Sequence, residues 1–591
     1  MRDVNLALHW KALLVFTQCY RCRSVIWGVA VLQISFVGFG MADYLPPKGI
    51  PAPSFGINDS HRMFVDRTFD FGFGAVSYPE AGNGPFTHYV DNTHPAATDS
   101  SNPFGSPEKP RATWPSDLPP GSIVELHGGP YNFRNFADKM AVTGNGTAER
   151  PIFFRGASTN QRPVLGKGIT VFGSYLVMEN LEFKGVTLTI RPDLAPTAMH
   201  HHLVIRDNQF TGTTLETGSS GVIGGIGGWT STSIPGKWVS DVVVFKNQIK
   251  DYGNWLATNE NDWVGVTVDG YAVSNVWVLN NEIFHLGGDA VRVGSNPSTI
   301  RVNGHHVYVA QNLMYENREN ALDIKQINDV VASENITYWY RPTSSSSGES
   351  IVIHYDPDRV WLLFNRIRSA DYGVVCTACS NLYIIGNVFY DIHHTATNYS
   401  PTSAYSAGAA IHSRGTKPVF IINNTFYGYD TGIQIPSGGP ADVMDNIFAN
   451  RSESNAYDIL YYVSDAGGTL DRNLFFTLAG RTRIGWLTST ARSVSQLKAL
   501  VPPVGVNQIE GMDPRFSAPS EYDFNPEFAS PVVNVGSPHA AYDFFLSCYG
   551  IDIKLDFDGK MRPFNGGWDL GAYEASGTIP RPPKRLRTVS P

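Results

Sequence analysis

The feature that most constrains this sequence is a short motif, an asparagine followed by apolar or aromatic residues, that recurs through most of the 591-residue chain. It occurs as DNQF, KNQI, NNEIF, QNLMY, FNRI, GNVF, NNTF and similar variants. The asparagines are Asn180, Asn208, Asn247, Asn281, Asn312, Asn335, Asn365, Asn387, Asn424, Asn446 and Asn473, and neighbouring ones are 22 to 39 residues apart. A period in this range indicates a solenoid or another array of stacked units.

The repeat contains short apolar runs and no helical pattern. Runs such as HLVI, VVVF, VWVL and HVYV precede most of the asparagines, and the chain has only 17% charged residues with 57 Gly and 38 Pro. This composition favours a turn-rich β protein. We therefore predict that each unit is one coil of β-strands, that strands of successive coils lie ~4.8 Å apart, and that the asparagines bond to one another along the stack.

These repeats resemble those of the right-handed parallel β-helix proteins of the pectate-lyase-like superfamily. The resemblance covers roughly residues 120–480, and the stretch DFDGKMRPFNGGWDLGAYE (556–574) is similar to the ending of many exported bacterial β-helix proteins. It implies an all-β fold, a single-stranded right-handed parallel β-helix (solenoid) with N-terminal and C-terminal caps. A propeller also has repeats of this length, but the sequence has no regular four-strand blade pattern.

The remainder of the chain is arranged around the solenoid. Arg21 and Arg23 precede a 16-residue apolar run (25–40), which is shorter than the ~20 residues of a membrane-spanning helix. We expect a signal peptide cleaved near Ala42, or else a membrane anchor, and hence a secreted, periplasmic or cell-surface protein. The expected divisions are residues 1–42 (signal peptide or anchor), 43–118 (irregular N-terminal segment and cap), 119–480 (parallel β-helix), 481–577 (C-terminal cap region) and 578–591 (disordered tail).

Charge and cysteine content exclude some functions. The net charge is −8, and the basic residues cluster only in the C-terminal tail, so we expect no nucleic acid partner. We expect a monomer that meets a membrane only through an uncleaved N-terminal segment, if at all. Cys376, Cys379 and Cys548 lie outside residues 1–42, and a local disulfide or buried thiols fit them better than a zinc site.

A second set of strands follows the asparagine motifs and can be aligned by its apolar alternation. The segments are GVTVD (265–269), AVRVG (290–294), ALDIK (321–325), SIVIH (350–354), GVVCT (373–377), AIHSR (410–414) and GIQIP (432–436). Their second and fourth residues should point inward, because alternate side chains of a strand share a face. The outward residues then form two columns: Thr267, Arg292, Asp323, Val352, Val375, His412, Gln434, and Asp269, Gly294, Lys325, His354, Thr377, Arg414, Pro436.

The two columns predict a site on one face of the solenoid. Charged and titratable side chains fall on three successive coils, within about 10 Å along the axis, and two further ones lie two coils beyond. The predicted catalytic residues are Lys325, His354 and Arg292, and the predicted substrate-binding residues are His412, Arg414 and Asp269. A cationic strip beside loops rich in Gly, Ser and Tyr favours an acidic polysaccharide as the partner.

β-Elimination in a uronate chain fits these residue types. The reaction needs a cation to neutralise the substrate carboxylate, a base for the C5 proton and an acid for the leaving oxygen. A lysine at its free pKa of ~10.4 is a poor base, and Asp323 beside Lys325 should raise that pKa further. A calcium ion held by Asp323 with Glu319 or Asp289 would cancel this effect, and carboxylates are suitable calcium ligands. We therefore predict that Lys325 is the base and that Asp323, Glu319 and Asp289 are metal ligands.

The run Lys325-Gln326-x-Asn328, followed by Glu334-Asn335-x-Thr337, resembles the motif around the catalytic lysine of the alginate lyase and chondroitinase B family, polysaccharide lyase family six. The resemblance implies a lysine base, an arginine acid and usually calcium. It assigns Lys325 as the base and places Glu319 and Asp323 near the metal. His354 stands where the family's arginine is expected.

Three other functions stay open. A polygalacturonase-type hydrolase needs paired carboxylates, and the adjacent aspartates and the Gly-His-Gly motif of that family are missing here. A uronate epimerase shares the proton abstraction and is not separated from a lyase by the sequence. A non-catalytic exported β-helix, which binds glycans or forms a surface fibre, would carry the charged columns as a solvated strand face.

Overall fold

The structure is a computed structural model. It describes residues 44–575, apart from residues 65–68, 71–74, 77–79, 83, 137–138, 191–198, 213–219, 228–237, 258, 260, 297–302, 396–407, 416–417, 453–454, 464–466, 479, 488–489 and 501. The predicted signal peptide or anchor (1–42) and the predicted tail (578–591) lie outside the described residues. In the described part of the chain, no helix is long and apolar enough to cross a membrane.

The chain is an all-β, single-stranded parallel β-helix, as the repeats predict. Nearly all its strands pair in parallel with strands one coil before and one coil after. Each coil contributes to three sheets, which we name the leading sheet (strands before the repeat asparagines), the trailing sheet (strands after them) and the site sheet (the third strand of each coil).

The leading sheet begins upstream of residue 119, the expected start of the solenoid. Its strands are His88–Asp91, Ile123–His127, Ile152–Gly156, Ile169–Glu179, Met199–Arg206, Trp238–Phe245, Val273–Leu279, His305–Ala310, Asn328–Ser333, Asp358–Leu363, Ser380–Ile385, Val419–Ile422, Ala441–Met444 and Thr469–Asp471. The trailing-sheet strands are Val164–Leu165, Glu182–Lys184, Gln209–Thr211, Gln248–Lys250, Glu282–Phe284, Leu313–Tyr315, Ile336–Tyr340, Arg366–Ala370, Val388–Ile392, Thr425–Tyr429, Ile447–Ala449, Leu474–Phe476 and Ile509–Glu510.

The site sheet carries the strands that were aligned by their apolar alternation. Its strands are Met140–Asn145, the first half of Ile169–Glu179, Leu188–Thr189, Ser220–Ile226, Trp263–Val268, Val291–Val293, Leu322–Lys325, Glu349–His354, Tyr372–Cys376, Ala409–Arg414, Thr431–Ser437, Ile459–Tyr461, Ile484–Trp486 and an antiparallel end strand, Ala491–Arg492. The remaining strands form antiparallel pairs: Phe69–Asp70 with Ala75–Val76, Glu80–Ala81 with Gly84–Pro85, and Phe516–Ala518 with Asp523–Pro526. The helices within the described residues are the 3-10 helices His61–Phe64 and Pro519–Glu521 and the α-helices Val494–Lys498 and Ala540–Tyr549.

The repeat asparagines form a buried ladder between the leading and trailing sheets. In each coil, the backbone N–H and the side-chain amide donate to the side-chain oxygen of the next asparagine, as from Asn335 to Asn365 at 3.0 Å each. The ladder runs from Asn208 to Asn473, whose backbone N–H donates to Gln508 Oε1. Each side-chain amide provides the hydrogen-bond partner that water would otherwise provide to backbone groups at the turn between the two strands. The ladder therefore keeps these buried polar groups hydrogen-bonded.

Asn180 is an exception to the predicted ladder. The N–H that donates to Asn208 Oδ1 belongs to Leu181, so Leu181 occupies the ladder position of its coil. Asn180 sits one residue earlier, at a φ of 58°. The equivalent residue in later coils also has a positive φ, as at Asp207 and Asn280, and asparagine tolerates that conformation. Including Asn180 in the ladder was therefore wrong by one residue.

The chain segments that flank the solenoid cover the outer face of the leading sheet. Ile50 and Phe55 pack with the outward side chains of that sheet, and so does Phe545 of the helix Ala540–Tyr549. Trp277 Nε1 donates to the Pro51 carbonyl at 2.8 Å, and the rings of Phe545 and Trp361 lie 4.9 Å apart, edge to face. The candidate site lies on the outer face of the site sheet.

Candidate active site

The register predicted for the site sheet is confirmed. In the first column Arg292 pairs with Asp323, then Val352, Val375 and His412 follow, and in the second column Lys325 pairs with His354. The inward residues Leu322, Ile324, Ile351 and Ile353 are buried together in the core. One pairing is wrong, because a register shift after His412 pairs Arg414 with Ser437 instead of Pro436.

Asp323 lies between Lys325 and His354 at the centre of the columns. Its Oδ2 is 2.8 Å from Lys325 Nζ, and its Oδ1 is 2.7 Å from His354 Nε2. Burial raises the pKa of Asp323, but the hydrogen bond from His354 and the charge of Lys325 outweigh burial, and the net pKa is lowered. The carboxylate is thus held ionised with both oxygens engaged.

The same contacts act on Lys325 in the opposite direction. Burial lowers the pKa of Lys325, whereas the charge of Asp323 and its hydrogen bond raise it, and the net pKa lies above the ordinary lysine value. Lys325 therefore holds its proton more firmly than a free lysine. The backbone of the preceding coil is close by: a Cβ on Gly294 would lie 1.6 Å from the Lys325 carbonyl oxygen, so only glycine fits there.

Asp289 and Glu319 come together with Asp262, and Asp323 is not part of this group. One carboxylate oxygen from each of the three lies within 4.8 Å of the others. Burial and then the charges of Asp323 and Glu319 raise the pKa of Asp289 well above its ordinary value. Arg292 faces this group, with its Nη1 3.3 Å from Asp262 Oδ2. Arg292 thus contacts the acidic group and does not line the cavity that contains Lys325.

A cavity of about 480 Å³ lies over the site sheet. Its lining residues are Glu319, Asn320, Asp323, Lys325, Ser345, Ser347, Glu349, Val352, His354, Tyr372, Val375, Thr377, His412 and Arg414. Most of the predicted site residues meet there, including His412 and Arg414 at the far end. Burial and then the charge of Arg414 lower the pKa of His412 to about 4, so His412 is neutral at neutral pH.

Asp269 does not reach this cavity. It is buried, its backbone N–H donates to the Ile226 carbonyl at 2.8 Å, and its carbonyl accepts from Ser295 Oγ at 3.0 Å. These contacts give Asp269 a role in joining coils. Asp269 is not among the residues that line the cavity, and its role in substrate binding stays a prediction.

Several residues of the site were not identified from the sequence. Arg318 is fully buried, and it donates to Glu319 Oε1 at 2.9 Å and to the hydroxyls of Ser344 and Ser345. It thereby fixes Glu319 and the loop that borders the cavity. Asp262 precedes its strand in the run NDWV, outside the aligned five-residue segments. The alignment of strands could not find such loop residues, because insert lengths differ from coil to coil.

Comparison with known proteins finds similarity to solved structures at low sequence identity and low TM-score. No family model and no curated protein matches the sequence. Among solved structures, an alginate lyase from Paenibacillus sp. str. FPU-7 is 15% identical over 55% of this chain and 91% of its own, with a TM-score of 0.29. Pectate lyase Pel9A is 12% identical over 83% of this chain and 96% of its own, with a TM-score of 0.34. The A-module of the Azotobacter vinelandii mannuronan C-5 epimerase AlgE4 is 15% identical over 53% and 89%, with a TM-score of 0.29.

Proposed function

We propose that this protein is an exported polysaccharide lyase that cleaves a uronate-containing polysaccharide by β-elimination in the cavity over the site sheet. The observation that supports this proposal is the arrangement Lys325–Asp323–His354 at one end of the cavity, where one carboxylate holds two proton-transfer groups. The elimination needs one group to take the C5 proton and one to protonate the departing O4, while the C4–O4 bond breaks and a C4=C5 double bond forms.

The electrostatics of the pair favour His354 as the base and Lys325 as the acid. Asp323 raises the pKa of Lys325, so Lys325 is charged and suited to neutralise the substrate carboxylate or to protonate the leaving oxygen. His354 Nε2 faces the Asp323 carboxylate at 2.7 Å. In a neutral imidazole this contact places the proton on Nε2, and Nδ1 then carries the lone pair that can accept a proton. This assignment reverses the expectation that Lys325 is the base.

A calcium ion fits the acidic group beside the cavity. Asp262, Asp289 and Glu319 offer three carboxylates whose oxygens lie within 4.8 Å of one another, and hard oxygen ligands suit calcium. Calcium bound there would supply positive charge next to the uronate carboxylate. Arg292 and Arg318 already contact two of these carboxylates, so the chain itself neutralises part of the group.

The lyase proposal is tested by incubating the purified protein with alginate, polygalacturonate, hyaluronan and chondroitin while following the absorbance of unsaturated uronates. We expect the wild-type protein to produce this absorbance with at least one polymer. Lys325→Met and His354→Ala should each lower kcat by about 10²–10⁴-fold. Lys184→Met, which changes an exposed lysine of the trailing sheet, should leave the rate unchanged.

One further variant separates the two assignments of the base. Lys325→Arg keeps a permanent positive charge but cannot provide a neutral amine. If Lys325 acts as a cation and acid, the arginine variant should retain more activity than Lys325→Met. Equal loss in both variants would return the base role to Lys325. Product with an inverted C5 centre and no double bond would instead identify an epimerase.

A further inference from the structure

The cavity has its cationic side chains at its two ends. Lys325 marks one end, and Arg414 beside the neutral His412 marks the other, three coil steps along the pairing from the strand of Lys325 to the strand Ala409–Arg414. At ~4.8 Å for each step, the ends are about 14 Å apart along the axis. Among the lining residues that the structure describes, Lys325 and Arg414 are the only lysine and arginine. A bound acidic glycan therefore meets positive charge at two separated places.

The stretch between the two ends contains a hydrophobic cluster and, beside it, the carboxylate of Glu349. Val352, Val375 and Tyr372 form a small hydrophobic cluster that faces the cavity. Glu349 pairs with Tyr372 in the neighbouring coil and also lines the cavity. Its Oε2 accepts hydrogen bonds from Ser346 Oγ and from the Ser347 backbone N–H, each at 2.7 Å, so the carboxylate is fixed in place.

We propose that the cavity accepts a polysaccharide in which uronate residues are separated by an uncharged sugar. This inference rests on the lyase proposal, and it names the substrate class of the same site. The uronates lie at the two cationic ends, and the uncharged sugar lies between them. The apolar face of its ring packs on Val375 and Tyr372, and its hydroxyls meet the Glu349 carboxylate, which is an acceptor.

A uronate in the middle position is disfavoured for two reasons. Its carboxylate would approach Glu349, a like charge, and it would lose part of its hydration shell against the apolar side chain of Val375. A homopolymer of uronates places a carboxylate on every sugar and meets both penalties. Glu349 and Val375 are thus the specificity-determining residues, and neither takes part in the proton transfers.

The test measures binding separately from cleavage. Calorimetry with the His354→Gln variant, which keeps both Lys325 and Arg414, compares a hyaluronan hexasaccharide with hexamers of galacturonate and mannuronate. The hyaluronan hexasaccharide alternates uronate with a neutral sugar and carries half as many carboxylates. We expect it to bind at least tenfold more tightly than either homopolymer, although general charge attraction would favour the homopolymers.

A charge-matched pair of variants then locates the origin of this preference. Glu349→Gln should strengthen binding of the homopolymers at least threefold and leave the alternating hexasaccharide nearly unchanged. Glu527→Gln changes the net charge equally at an exposed position far along the sequence and should alter neither. Equal or tighter binding of a homopolymer to the parent variant, no binding of any hexamer, or the same response to both substitutions would overturn the inference. Absence of unsaturated product from the wild-type protein would refute the lyase proposal. The calorimetric comparison of the hexamers would still decide the binding preference.

Discussion

The asparagine ladder makes a quantitative prediction at Asn335, which lies in the middle of the stack and is 1% exposed. Its side chain takes part in four hydrogen bonds. Oδ1 accepts from the backbone N–H and the side-chain amide of Asn312 at 3.1 and 3.0 Å, and Nδ2 donates to the Val309 carbonyl at 2.8 Å and to Asn365 Oδ1 at 3.0 Å. Asn335→Ala removes all four and leaves their partners buried.

The expected loss of stability follows from these four bonds. A buried hydrogen bond contributes ~1 kcal/mol net, and a buried partner left unsatisfied costs ~1–3 kcal/mol. Asn335→Ala should therefore lower the free energy of unfolding by at least about 4 kcal/mol. Urea denaturation followed by tryptophan fluorescence measures this loss as a shift of the midpoint at unchanged slope.

Asn180→Gly is the matched control, because Asn180 has the same sequence motif but lies outside the ladder. Glycine accepts the positive φ of 58° at that position, so the change should cost less than about 1 kcal/mol. The reasoning is refuted if the two variants lose similar stability. Partial unfolding confined to one end of the solenoid would show as a second transition, which the ladder argument does not predict for a central coil.

Three further predictions concern the site and the cysteines. Because the pKa of Lys325 is raised, a lysine that acts as acid keeps its proton up to and beyond pH ~10.4, and kcat should stay level between pH 8 and pH 10. A lysine that acts as base would instead give a kcat that rises about tenfold per pH unit in this range. Initial rates measured across this pH range decide between the two roles. Chelation should lower activity and calcium should restore it if Asp262, Asp289 and Glu319 hold the ion, whereas Asp289→Asn should abolish the response to calcium. Burial raises the pKa of the Cys379 thiol, so iodoacetamide followed by mass spectrometry should label the exposed Cys548 first and reach Cys376 and Cys379 only after unfolding.

The fold and the register could be predicted because both rest on periodic burial. Inward positions such as Leu322 and Ile351 repeat as apolar residues in each coil, and a slip of one residue would bury Asp323 and Lys325 in the core. The pattern therefore permits only one alignment of the strands over most of the site sheet. It fails at Arg414, where a register shift follows His412, because a shift at the end of a strand leaves no signature in apolar alternation.

The same periodic argument misplaced Asn180. The motif ENLEF contains an asparagine and an aromatic residue at almost the expected spacing, but the ladder position belongs to Leu181. Two asparagine-compatible positions lie next to each other in every coil, the positive-φ residue and the ladder residue. A sequence shows that asparagine is present, and the hydrogen bonds decide which of the two positions it occupies.

Partner choice within the site depends on contacts that periodicity does not encode. The columns place Asp323 beside Lys325, Arg292 and His354, and each of these could neutralise it. In the structure Asp323 contacts Lys325 and His354, while Arg292 contacts Asp262 of a loop with its own length and path. Lys325 is thus paired with a carboxylate outside the group of Asp262, Asp289 and Glu319, and although burial lowers the pKa of Lys325, the charge and hydrogen bond of Asp323 raise it to a net value above the ordinary one. In the proposed lyase reaction, the choice between Lys325 as acid and Lys325 as base therefore depends on where the loop carboxylates lie. The sequence could place the charged residues on one face of the solenoid, but it could not show these side-chain contacts.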